Sequence, residues 1–302
     1  MSAEPDDYED RGDDLRAYID THGHWLDYTI DQQFQNAAPP QRIMRFMPLE
    51  QYLSVLTTRE LYIPRATEYD DPYDCAFPDS LGNEIREELV RSCNEPEFSL
   101  PGDADHSELV SQAEDLLDCE LQDELANEIA ERWFVSCWHA GEEPTDLMWR
   151  SYGGHKGVCI TCDGPGLLNQ LEQTVWVKQG YRERTREREH FTFLHGYIDY
   201  ENPLFEIDID HEVGPTVRVR HPAFRKHRFF HLDREFRFAI KLTAKDPSHY
   251  SAGATLDLSA CNASVRTSPL CPRWISKSVE DVTRKYYPNV PFEHMSLESD
   301  QP

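Results

Sequence analysis

RIMRFMPLEQYLSVLTTRELYIPRATEYDDPYDC, residues 42–75, decides the fold. Residues 42–47 alternate so that Arg45 points away from Met44 and Phe46, the pattern of a short strand. Pro48 suits the first turn of a helix, and Leu49, Tyr52, Leu53 and Leu56 then recur at helical spacing. A strand LYIPRA (61–66) follows, and the turn-rich EYDDPYD (68–74) closes the unit. The main fold therefore opens as strand, helix, strand.

Working outward, the spacing predicts strands at WFVSCWH (133–139), KGVCITCD (156–163), FTFLHGYIDY (191–200), LFEIDID (204–210), VRVR (217–220) and REFRFAIKL (234–242). A short helix TDLMWRSYG (145–153), with Thr145 as N-cap, separates the first two. A last helix is expected in PRWISKSVEDVTRKYYP (272–288). The charged stretch 178–190 reads as a loop or a solvated helix, and residues around 221–233 as a loop or short helix. Strands mixed with helices in this order predict an α+β protein with one domain over residues 41–295. Residues 1–40 are expected to hold an acidic tail and a helix, with Leu15, Tyr18, Ile19, Leu26, Ile30 and Phe34 on one face and a break near Gly23. A helical insertion is predicted at about 78–132, and residues 296–302 form a polar tail.

The 302 residues include 56 acidic against 30 basic side chains, a formal charge of -26. That balance argues against sequence-independent wrapping of duplex DNA and against an anionic membrane surface. Six Trp, 14 Tyr and 14 Phe supply the apolar area for a core. There is no run of about 18 uncharged apolar residues, and MSAEPDDYEDRGDD is acidic where a secretory signal is basic and then apolar, so a cytoplasmic protein is expected. The eight cysteines lack a framework spacing and sit mostly in apolar runs, as reduced thiols do. With 23 Arg to seven Lys, the acid excess suits a salt-rich cytoplasm, and a GC-rich genome produces the same Arg bias.

Cys159 and Cys162 form a C-x-x-C, but residues three apart in a strand face opposite ways, and no second pair of matching spacing accompanies them. No metal site is therefore expected. G-x-x-x-x-G-K-[ST], G-x-G-x-x-G and G-x-S-x-G are all missing, which removes the signatures of P-loop, Rossmann and serine hydrolase sites. Residues 218–237 reverse the local charge, with Arg218, Arg220, Arg225, Lys226, Arg228, Arg234 and Arg237 against only Asp233 and Glu235. Such an island either pairs internally with acidic segments or holds a phosphate, a dinucleotide or single-stranded nucleic acid. In REFRFAIKL, alternation sends Phe236, Phe238, Ile240 and Leu242 to one face and Glu235, Arg237, Ala239 and Lys241 to the other. Glu235 is then either a cross-strand ion pair or a carboxylate placed to bond a ribose hydroxyl or steady an oxocarbenium ion.

The order of D-P-Y-D (Asp71, Pro72, Tyr73, Asp74), FVSCWH, M-W-x-x-Y-x-x-x-H-x-G-V (Met148, Trp149, Tyr152, His155, Gly157, Val158) and REFRFAI resembles the microbial family known as domain of unknown function 2971, over about residues 42–295. This chain has Asp70 where that family usually has Asn, and Arg45 where Lys or Tyr is common. The element order is also similar to the ADP-ribosyltransferase fold, which implies two small, mostly antiparallel sheets forming a cleft, with flanking helices. By that likeness Arg45 matches a first-strand residue that binds NAD, Tyr152 the aromatic that stacks on nicotinamide, and Glu235 the carboxylate on the ribose 2'-hydroxyl. Ser136, Trp149, His155 and Arg237 join them as cofactor-binding candidates. The implied activity is NAD-dependent ADP-ribosyl transfer or NAD hydrolysis by a toxin or defence effector, with no metal, a nucleotide as small-molecule partner and the macromolecular target open. Two alternatives stay open: a non-catalytic module that binds a nucleotide or nucleic-acid end through residues 218–237, and a metal-dependent nuclease or hydrolase using His155, His139, Asp70, Asp71 and Asp74.

Overall fold

The computed structural model describes residues 27–31, 36–69, 74–75, 77–78, 80–93, 130–210, 214–244 and 246–293. Most of residues 1–40 and of the 78–132 insertion thus lie outside the described residues, as do Asp70 and Asp71. The chain groups into two compact units, one of residues 1–31, 77–128 and 203–221 and one of 32–76, 129–202 and 222–302.

In the first unit, strand β1 (Asp27–Asp31) runs parallel to β9 (Gly214–Arg220), and β8 (Phe205–Asp210) pairs β9 antiparallel. Residues 27–31 are therefore strand, not part of the helix expected over 15–34. A five-residue segment satisfies either period, and pairing with a strand almost two hundred residues away decides it. Helix α2 (Leu81–Cys93) contributes Leu81 and Ile85 to a cluster with Val217 and Val219, bordered by Phe205 and Ile207. Glu206, between those two, faces outward and pairs with Arg220 at 2.6 Å and Arg218 at 4.0 Å. The first two cations of the basic island thus pair within their own sheet.

The second unit is built on a seven-stranded sheet in the order β13-β12-β5-β2-β4-β10-β7. Its members are β2 (Arg42–Met47), β4 (Trp133–His139), β5 (Val158–Asp163), β7 (Phe191–Tyr197), β10 (Glu235–Leu242), β12 (Ser264–Thr267) and β13 (Phe292–Glu293). Only β12 and β13 run parallel. A three-stranded antiparallel sheet, β3 (Glu60–Ile63), β11 (Tyr250–Thr255) and β6 (Trp176–Gln179), completes the unit. The architecture is α+β with mostly antiparallel strands, but the described sheets number three and the largest has seven strands, in place of the expected pair of small ones.

One face of the large sheet carries Ile43, Phe134, Trp138, Ile160, Phe236, Phe238 and Ile240. Helix α1 (Leu49–Thr58), α4 (Gly164–Thr174) and α5 (Arg273–Tyr286) add Tyr52, Val55, Leu56, Leu167, Leu171, Ile275 and Val279 to the same core. Fully burying each such side chain is worth about 1.5–3 kcal/mol. The opposite face carries Trp133, Val135 and Ala239 under Ala66, Cys75, Ala223 and Phe224, with Met44, Phe46 and Cys159 under Met148 and Trp149 nearer the other edge. Helix α3 (Asp146–Met148) starts on the expected cap, Met148 N–H to Thr145 Oγ1 at 3.3 Å, and continues as a wider π turn through Trp149–Gly153. The charged stretch 178–190 starts as the end of β6 and runs from residue 180 as a loop that ends in a 3-10 turn, Arg188–His190. No helix among the described residues is long and apolar enough to cross a membrane.

Candidate functional site

Alternation along β10 puts Glu235 and Arg237 on the face covered by Cys75 and Ala223, away from Phe236 and Phe238. Arg237 is 0% exposed, so its guanidinium must find every partner inside the protein. Nη1 and Nη2 donate to Asp74 Oδ1 and Oδ2 at 2.6 and 3.0 Å, a two-pronged pair. Nε donates to Glu235 Oε2 at 2.8 Å, and Nη1 also reaches Ala223 O at 3.1 Å. The second Glu235 oxygen accepts from Lys226 Nζ at 2.5 Å. Lys226 extends the chain of charges to Asp233 Oδ2 at 3.3 Å, and Tyr152 donates its hydroxyl to the same oxygen at 2.7 Å. The backbone N–H of Glu235 donates to Tyr200 Oη at 2.9 Å.

Three carboxylates thus face two cations away from bulk water. Burial raises the pKa of Glu235, but Arg237 and Lys226 outweigh it and bring it down to about 2, so the group is a carboxylate at all ordinary pH. Burial works to discharge Lys226 and Arg237 as well, and their acidic neighbours win, raising both. The Tyr152 hydroxyl is pushed up by desolvation and by donating to Asp233, which fixes it as a proton donor. Burial, followed by the charge of Glu235, lifts the Cys137 thiol to about 12.

The other expected residues fall elsewhere. Arg45 stands opposite Ile160 on β2 and donates Nη1 to Ser136 Oγ at 2.6 Å and to Cys137 O at 3.3 Å. Its guanidinium lies 5.9 Å from the centre of the Trp138 ring, and Trp138 Nε1 donates to the same Ser136 oxygen. Arg45 and Ser136 therefore come together, as do Tyr152, Glu235 and Arg237, but on opposite sides of one sheet. Trp149 is buried edge-on against Phe46 with centroids 4.9 Å apart, a core contact. His155 is exposed and lines an open surface cavity of about 480 Å³. For the metal-dependent alternative, Asp74 is committed to Arg237, and His139 bonds the Asp233 carbonyl through Nδ1 at 2.7 Å. Cys159 and Cys162 face opposite sides of the sheet, as their spacing predicts.

The sequence alone does not mark Lys226 and Asp233 as site residues. Asp233 and Glu235 are nevertheless the only two acids in the basic island 218–237. Between Lys226 and Glu235 the chain makes a six-residue 3-10 turn, Arg228–Asp233, capped by His227 Nδ1 accepting from Phe229 N–H. Arg234 closes it in the left-handed conformation, φ 44°, and its carbonyl accepts from Ala140 N–H. Asp233 fastens the turn to the interior and half-buried Phe230 lies over Lys226, 4.6 Å from its Nζ, while His227, Arg228, Phe229, His231, Leu232 and Arg234 are exposed. Phe229 is 78% exposed and Leu232 55%. Arg228 and Arg234 are exposed and make no ion pair among the described residues.

No family model, no curated protein and no solved structure matches the chain. The site's chemistry has to be judged from its own geometry. Both Glu235 oxygens already hold buried cations, so a substrate hydroxyl would have to displace Lys226 or Arg237 to reach them.

Proposed function

We propose that the protein is a binding protein for an anionic ligand that carries a flat ring, a nucleotide or the single-stranded end of a nucleic acid, held on the turn 227–234. The observation that carries this is Phe229, 78% exposed between Arg228 and Arg234 in a chain of charge -26. An exposed ring gives a base a stacking surface, and the guanidinium groups of Arg228 and Arg234, in no ion pair among the described residues, take the phosphates. Tyr152, Asp233, Lys226 and Glu235 fix the base of the turn, which lowers the ordering cost of binding.

The glycosyl-transfer reading with NAD as substrate needs Arg45 and Glu235 on one ligand, and the strand register works against it. A single set of assays separates the two. Labelled short oligonucleotides and mononucleotides are titrated by anisotropy and competition against wild type, Phe229→Ala and Arg228→Gln. Nicotinamide release from NAD is followed with wild type and Glu235→Gln. Saturable binding lost in both turn variants, with no nicotinamide released, supports the binding reading. Turnover that depends on Glu235 would replace it with the enzymatic one.

A further inference from the structure

The segment Met148–Val158 does more than supply Tyr152. Met148 and Trp149 pack on Met44 and Phe46, and Tyr152 reaches Asp233. The chain then makes a tight turn that needs glycine twice. Gly154 adopts φ 65° while its N–H bonds Trp149 O, and a Cβ on Gly157 would stand 2.2 Å from the Gly153 carbonyl oxygen. At the tip of this turn are His155 and Lys156, both exposed and neither in an ion pair among the described residues. They stand on one side of the cavity of about 480 Å³. Pro48, Leu49, Glu50 and Leu53 at the start of α1 line it too.

We propose that this cavity is a small-molecule site for a monocarboxylate on an apolar body of one ring or a short chain. The volume falls in the range of small-ligand sites, which join a mostly apolar wall to a few polar groups that set orientation. One lysine matches one negative charge, and His155 beside it offers a further hydrogen bond to the second carboxylate oxygen. Glu50 in the same lining disfavours a dianion such as a phosphate monoester. None of these residues belongs to the turn 227–234, so this site stands or falls apart from the nucleotide-binding reading.

The probes are benzoate and hexanoate, with benzyl alcohol and inorganic phosphate as controls, each titrated into the full chain by calorimetry and ligand-observed NMR. Saturable binding of a carboxylate is expected, weakened about tenfold in Lys156→Met, the loss of one charge-assisted hydrogen bond. Glu50→Gln should tighten it severalfold. Both positions are exposed, and thermal melting of each variant checks that the fold is kept. No saturable binding of either carboxylate, equal affinity for benzyl alcohol, tighter binding of phosphate, or an affinity unchanged in Lys156→Met would each overturn the proposal.

Discussion

Arg45 and Glu235 lie on opposite faces of one sheet. Met44 stands opposite His139, and His139 stands opposite Glu235, so these three side chains share a face and Arg45, one residue along β2, turns to the other. Arg45 ends on Ser136, whereas Glu235 ends on Arg237 and Lys226. Substitutions at the two sites should therefore act independently. In a cycle of Arg45→Met and Glu235→Gln, denaturant unfolding at fixed salt should give destabilisations that add within about 0.5 kcal/mol. The cycle of Lys226→Met with Glu235→Gln should be non-additive by more than 1 kcal/mol. Glu235→Gln alone should cost about 3–5 kcal/mol, because it leaves two buried cations short of a partner.

Acid should unfold the protein partly through this carboxylate. Glu235 is held at about 2 in the fold against an ordinary value of 4.5. Between those two values the unfolded chain binds the proton and the folded one does not, so stability rises with pH across the window. The contribution is complete above about pH 4.5 and is lost as pH falls towards 2, on the order of 3 kcal/mol in all. Denaturant midpoints measured from pH 6 to 2 should fall more steeply for wild type than for Glu235→Gln. Parallel profiles would show that Glu235 is not held as a charged group.

Tyr152→Phe removes the hydroxyl that bonds Asp233 but leaves Lys226 on that oxygen. With Tyr152 37% exposed, the expected loss of stability is only about 1 kcal/mol. The local effect should be larger. The amides of Phe230 and Arg234, bonded to His227 O and His231 O, should exchange faster by hydrogen exchange, while those of β7 stay unchanged.

The buried thiols should be inert. Cys159 and Cys162 are buried, and for Cys159 burial raises the thiol to about 12. Alkylation at pH 8, mapped by mass spectrometry, should be at least about 100-fold slower at these two than at a free thiol, until denaturant is added.

Local pattern carried the strand-helix-strand start, β4 and the two-faced β10: α1 shows a helical period, while β4 and β10, buried on both faces, stand out as short runs rich in aromatic and β-branched residues. Thr145 was readable as a cap for the same local reason. Helix α4 was not anticipated, although Asp163 caps it by accepting from Gly166 N–H and Pro165 stands in its first turn. Strand β11, YSAGAT, alternates Tyr250, Ala252 and Ala254 with Ser251, Gly253 and Thr255, but residues this small give a weak apolar signal; Gly253 admits the Trp176 ring, where a Cβ would come within 2.6 Å. At the site, alternation placed Glu235 on the face away from the Phe core. It could not say that both its oxygens would be taken by Arg237 and Lys226, nor that Asp74 would close the set from a segment over 160 residues away. Such pairings exist only after the chain is folded, and no spacing encodes them.

The most direct test of the binding account is the salt dependence of affinity for a short single-stranded oligonucleotide, in wild type and in Arg228→Gln/Arg234→Gln. The body's charge of -26 repels the ligand equally in both proteins, so the difference in slope isolates the turn. Each phosphate contact on a single strand contributes about -0.7 to the slope of log K against log salt, so wild type should be steeper by about 1.4. Equal slopes, or no saturable binding by wild type at low salt, would contradict the account.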